Sequence, residues 1–185
     1  MQPQPAPDDI RSFVMAAHFD FEQVKTRLEA DPSLLHVVVE EFNESALGAA
    51  SHVGNRAIAE YLLSQGASLT MCAAVMLGLR DAIERFLTDD STLANPREAH
   101  GFSALYHAAI NGDVAIIELL YAHGGREGLS DALHPAISRQ HAAMVEWLLA
   151  HGADPSVTNF KGKTAHEAAI DTGNEAIIAT LKAHG

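Results

Sequence analysis

One block recurs along this chain with drift: SHVGNRAIAEYLLSQGA at 51–67, AINGDVAIIELLYAHGG at 109–125, ISRQHAAMVEWLLAHGA at 137–153 and IDTGNEAIIATLKAHG at 170–185. Units that each carry one apolar face bury it only by stacking on their neighbours, so self-similarity on this scale predicts an array. Such an array offers a long binding surface and no closed pocket built from converging loops.

Each block reads as two helices. The first carries paired small residues, Ala49-Ala50, Ala108-Ala109 or Ala168-Ala169, which let another helix approach closely. Gly54, Gly112 and Gly173 follow at a tight turn, where a positive φ is least costly for glycine. The second helix shows i, i+3, i+4 apolar spacing: Ile58, Tyr61 and Leu62; Ile116, Leu119 and Leu120; Met144, Trp147 and Leu148. A second glycine closes it as a C-terminal cap twelve residues on, at Gly66, Gly124, Gly152 and Gly185.

Ser45-Ala46-Leu47 and Ser103-Ala104-Leu105 resemble the T-P-L-H-x-A opening of ankyrin repeats, and Gly162-Lys163-Thr164-Ala165 resembles the turn leading into it. Leu148-Leu149 through Gly152-Ala153-Asp154-Pro155 is similar to that family's L-L-x-x-G-A-D ending. The resemblance covers about 10–185. It implies an all-α ankyrin-repeat solenoid of about six helix-turn-helix units, with short or missing β-hairpin fingers between some of them. The expected units are 10–42, 43–68, 69–100, 101–127, 128–160 and 161–185, forming one domain behind a flexible Pro-rich leader at 1–9.

Matching turn positions fall at Asp20, Gly54, Gly78, Gly112, Gln140 and Gly173, at offsets of 34, 24, 34, 28 and 33 residues, against a family period of about 33. The short connections at 67–69 and 125–129 leave no room for a finger. Full fingers are expected at 34–44, 93–102 and 154–163, leaving a notched concave face. On the second helices the outer positions are polar in the first and last units, Arg27 and Glu29 or Thr180 and Lys182, where internal units have Tyr61 and Leu63 or Trp147 and Leu149. Polar outer faces suit the two ends of a finite stack, so the array is expected to be whole.

Composition narrows the function classes. The chain has 185 residues, with 24 acidic residues against 12 Lys and Arg and a formal net charge of −12. No basic stripe is present to neutralise phosphates, so nucleic acid is not an expected partner. The longest apolar run, 71–79, is nine residues including Gly78, too short to cross a bilayer, and 1–9 lacks the pattern of a signal peptide. Cys72, the single cysteine, sits in the run MCAAVML and reads as a small buried hydrophobe in a reducing, cytoplasmic setting. A monomer is expected.

Several motifs fail on inspection. Gly162-Lys163-Thr164 matches the end of a phosphate-binding loop, whose first glycine falls on Val157. His166-Glu167 begins a zinc-protease helix that needs a second histidine where Ile170 stands. His123, His151 and His184 recur just before cap glycines. Equivalent sites on stacked helices lie roughly 8–10 Å apart, too far to share one zinc bound at about 2 Å, so they read as side chains at helix carbonyl ends. Glu40-Glu41 and Asp89-Asp90 fall in connections, and no nucleophile context such as G-x-S-x-G occurs. No catalytic residue, metal or cofactor is expected, and Trp147 reads as core.

In ankyrin-like arrays partners sit on finger tips and first-helix faces. The resemblance therefore places two residues before each turn in the groove: His18 and Phe19, His52 and Val53, Met76 and Leu77, Ile110 and Asn111, Ser138 and Arg139, and Asp171 and Thr172. Phe19, Val53, Met76, Leu77 and Ile110 would form an apolar strip of the kind that marks partner sites, unless shortened fingers or the leader cover it. The expected partner-binding set is Phe19, His52, Val53, Met76, Leu77, Ile110, Asn111 and Arg139. Truncating Met76 and Leu77 is expected to leave the thermal transition nearly unchanged. The expected function is a non-enzymatic adaptor or scaffold that binds a protein through the groove and finger loops. The same surface suits a regulatory or inhibitory subunit masking an enzyme or toxin, and a sensor of a small ligand or metal through its histidines is the third reading.

Overall fold

A computed structural model of the chain describes residues 5–96 and 98–184. Residues 1–4 of the expected leader and the expected cap Gly185 lie outside them. The described residues form α1 (Pro7–Phe19), α2 (Phe21–Ala30), β1 (Val38–Val39), β2 (Glu44–Ser45), α3 (Ala46–His52), α4 (Arg56–Ser64), α5 (Met71–Leu77), α6 (Arg80–Asp89), α7 (Ala104–Asn111), α8 (Val114–Ala122), α9 (Leu133–Ser138), α10 (Ala142–Ala150), α11 (Ala165–Thr172) and α12 (Glu175–His184). Helices pair in sequence. The odd-numbered ones stack as an inner layer, α1 on α3 on α5 on α7 on α9 on α11, and α10 packs against both α8 and α12 in an outer layer. The fold is the expected helical solenoid.

Local chemistry sets the helix ends. Ser45, Thr70, Ser103 and Thr164 each accept a backbone N–H from the first turn of an inner helix, and Thr164 with Glu167 completes a reciprocal capping box. The Gly-Lys-Thr segment is thus a turn leading into a capped helix. Gly54, Gly78, Gly112 and Gly173 adopt positive φ at the inter-helix turns, and Gln140 takes the same conformation at φ 61° without being glycine. Asp20 turns instead at φ −116° and caps α2 through its side chain. Part of the expected leader is helical, because Pro7 fits the first helical position and Asp8 and Asp9 complement the helix dipole there.

Among the described residues, only the first of the expected fingers carries strands: Val38 pairs with Ser45 and Val39 with Glu44, antiparallel. The described residues around the 93–102 segment include two 3-10 turns, Ser91–Ala94 and Ala99–Gly101. The 154–163 segment is a turn closed by Asn159 N–H to the Lys163 carbonyl at 2.9 Å and Gly162 N–H to the Asn159 carbonyl at 2.8 Å.

The core has two lobes that meet at α5. Met71, Ala74 and Val75 belong to the lobe running toward α12, and Ala73, Met76 and Leu77 to the lobe running toward α1. Every residue of α5 is buried. The reason is local: α3 and α7, which flank α5, also touch each other, so α5 has no free face and its all-round apolar sequence is the one that fits.

Candidate functional site

A groove of cavity volume ≈ 990 Å³ runs beside the inner helices, walled by His52, Phe102, Tyr106, Arg139, Phe160 and Asp171 among others. Phe102 stacks on Tyr106 with ring centroids 4.3 Å apart, and its other ring neighbours are His52 at 5.2 Å and His100 at 6.2 Å. Phe160 projects from the 154–163 turn and is 95% exposed. Its sequence signal is faint: one aromatic between turn-forming residues, at a site that no other unit repeats.

The expected apolar strip is not formed. Met76, Leu77 and Ile110 are buried, at 3%, 6% and 8% exposure, because the contact between α3 and α7 closes over α5. The carbonyls at the ends of these helices, left unpaired by the helix itself, are covered from adjacent units. Asn55 Nδ2 donates to the His18 carbonyl at 3.1 Å and Asn111 Nδ2 to the Met76 carbonyl at 3.1 Å. Arg56 Nη2 donates to the Leu77 carbonyl at 3.0 Å, and His141 Nε2 lies 3.2 Å from the Ile110 carbonyl. Of the remaining expected residues, Phe19 is 81% exposed, Arg139 is exposed, and His52, Val53 and Asn111 are half-buried.

A polar cluster closes one end of the groove. Glu44, on β2 and almost fully buried, presents Oε1 to three histidines: His18 Nε2 at 3.4 Å, His52 Nδ1 at 3.3 Å and His100 Nε2 at 3.1 Å. His18 stands in the last turn of α1 and His52 ends α3, at matching positions two residues before the turn. His100 sits in the 93–102 segment with left-handed backbone, φ 55°, and stacks on Phe42 at 4.9 Å.

The cluster is strongly polarised. The hydrogen bond to Glu44 raises the His18 pKa against the opposing effect of burial. Burial pushes the Glu44 carboxyl up, but the bond from His18 and the neighbouring rings outweigh it and leave it lowered. Burial also brings His52 down to about 4, and the Glu44 charge does not offset it, so His52 is neutral at pH 7. The histidines before cap glycines behave differently: Nδ1 of His123, His151 and His184 lies 2.9, 2.7 and 2.9 Å from the carbonyl four residues back.

Residues 70–159 match the family model for ankyrin repeats, in three copies. The chain carries ankyrin repeats. Ankyrin repeats generally mediate protein–protein interactions. Its relatives include BCL-6 corepressor-like protein 1 of Homo sapiens, 31% identical over 97 residues, or 50% of this chain and 5% of the relative. Another is the Interferon antagonist OPG040 of Vaccinia virus (strain Western Reserve), 35% identical over 80 residues, 42% of this chain and 28% of the relative. Intracellular phospholipase A2 of Caenorhabditis elegans is 24% identical across 77% of this chain and 18% of its own length. This ankyrin chain thus spans under a third of each relative's length. Among its described residues no helix is long and apolar enough to cross a membrane.

Proposed function

We propose that this ankyrin array is a non-enzymatic interaction module, one domain over 10–185, that holds a segment of a partner protein in the groove beside the inner helices. The observation that carries the reading is Phe160, which is 95% exposed and lines the same groove as Tyr106 and Arg139. Aromatic and arginine side chains around a concave surface are the residue types that dominate binding energy at protein interfaces. An exposed phenylalanine gains apolar burial only when something covers it. Phe19, His52, Val53, Asn111 and Arg139 supply the rest of the proposed contact surface. Met76, Leu77 and Ile110 support it from beneath.

The test is quantitative capture from the source cell followed by mass spectrometry, comparing the natural chain with Phe160→Ala and Phe19→Ala. One partner retained by the natural chain and depleted about tenfold by Phe160→Ala, with the thermal midpoint unchanged, is the expected result. Equal recovery with both variants would overturn the groove as the contact surface.

A further inference from the structure

The Glu44 cluster has a geometry that hydrogen bonding alone does not account for. A tetrahedral ion with bonds of about 2.0–2.1 Å holds its ligand atoms about 3.3–3.4 Å apart. Glu44 Oε1 lies 3.4, 3.3 and 3.1 Å from one nitrogen of each of His18, His52 and His100. The donor atoms of His18, Glu44 and His52 all lie within 4.8 Å of one another. These residues come from α1, β2 and α3, and His100 arrives from a segment more than 50 positions away in sequence, its bond to Glu44 spanning 56.

The ring nitrogens point the same way. His18 Nδ1 faces two acceptors, the carbonyls of Val14 at 3.2 Å and Met15 at 3.1 Å, so it carries a hydrogen. In the neutral ring Nε2 is then a lone pair aimed at a carboxylate oxygen, an arrangement that is repulsive unless a cation lies between them. A backbone carbonyl fixing one nitrogen so that the other can ligate is the usual support of a metal-bound histidine. A proton on His18 would satisfy that one contact. It does nothing for His52 Nδ1, which is buried, has no hydrogen-bond partner and looks toward the same oxygen.

We propose that His18, Glu44 and His52 form a zinc site that ties α1 to the first finger and to α3, with His100 beside Glu44 at its rim. Imidazole with one carboxylate is a donor set suited to zinc. The protein supplies three of the four positions, and water completes the tetrahedron. His100, with a third of its side chain exposed, stands at the rim through which an ion enters, and the acidic balance of the chain favours cations.

The test uses the full chain stripped by chelator, then titrated with Zn2+ by calorimetry and with Co2+ by visible absorption near neutral pH. One equivalent of Zn2+ per chain, a raised thermal midpoint and the intense absorption of four-coordinate Co2+ are expected. His18→Ala and His52→Ala should each weaken binding about tenfold or more, while His123→Ala with His151→Ala leaves it unchanged. Should the variants fold poorly, histidine ring NMR of the natural chain decides: Zn2+ must shift the His18 and His52 signals. No saturable Zn2+ binding, only the weak absorption of six-coordinate Co2+, or shifts confined to other histidines would each overturn the site.

Discussion

Arg139, closing α9, donates through Nη2 to the carbonyl of Val53, closing α3, although the two are 86 positions apart. The contact spans the array over the buried α5. A guanidinium at the carbonyl end of a helix is favoured by the helix dipole, and this one also borders the small cleft that exposes the rims of Met76 and Ile110.

Arg139→Ala removes that strap and leaves the Val53 carbonyl to water. Because the arginine is exposed, the expected cost is modest, about 1 kcal/mol, read as a lower urea midpoint. A midpoint equal to the natural chain's would show that the contact contributes nothing in solution.

Met76→Ala acts through packing. The side chain is 3% exposed in a helix with neighbours on every side, so its truncation leaves a cavity and is expected to cost about 2–5 kcal/mol. This reverses what the repeat position alone suggests, which is a surface residue whose loss the fold would not notice. Chemical denaturation separates the two: a change under about 0.5 kcal/mol, the range of surface substitutions, sinks the packing account.

What was legible in the sequence is what repeats. Helix pairs, turn glycines and the serine or threonine caps follow from period and local chemistry, and even Gln140 falls at a turn position by its offset in the repeat, where its φ is 61°. The burial of α5 was not legible, because position in a unit says which side a residue faces and not how closely the units on either side approach. The run MCAAVML did carry a hint, being apolar all round. Half of the Glu44 cluster was legible as well: His18 and His52 occupy equivalent groove positions. Glu44 and His100 come from fingers of differing length and backbone, where no periodicity predicts a partner.

Gln140→Gly is expected to stabilise the array. Left-handed backbone costs a residue with a Cβ about 1–2 kcal/mol, and glycine avoids that while adding disorder to the unfolded chain, about 0.4–1 kcal/mol in the opposite direction. The side chain adds little, with Oε1 accepting from Asn174 Nδ2 at 3.4 Å. The net gain should be up to about 1 kcal/mol by urea titration. A loss of stability would mean that the glutamine makes a contribution its contacts do not reveal.

His107 makes the fold acid-sensitive. The ring is buried in α7 at 2% exposure, with Nδ1 2.8 Å from the Ser103 carbonyl. Burial lowers its pKa to about 4, against the weaker upward effect of that hydrogen bond. The unfolded chain takes up a proton near pH 6.5 while the folded chain does so only near 4, so between these values the unfolded state binds more protons and stability rises with pH. Stability is undiminished above pH 6.5 and falls as the solution is acidified, and the loss amounts to about 3 kcal/mol once pH is below 4. Urea midpoints from pH 7 to 4 should therefore drop, and His107→Gln, which cannot titrate, should flatten that drop whatever its own stability at pH 7. An equally steep fall in the variant would move the acid sensitivity to another group.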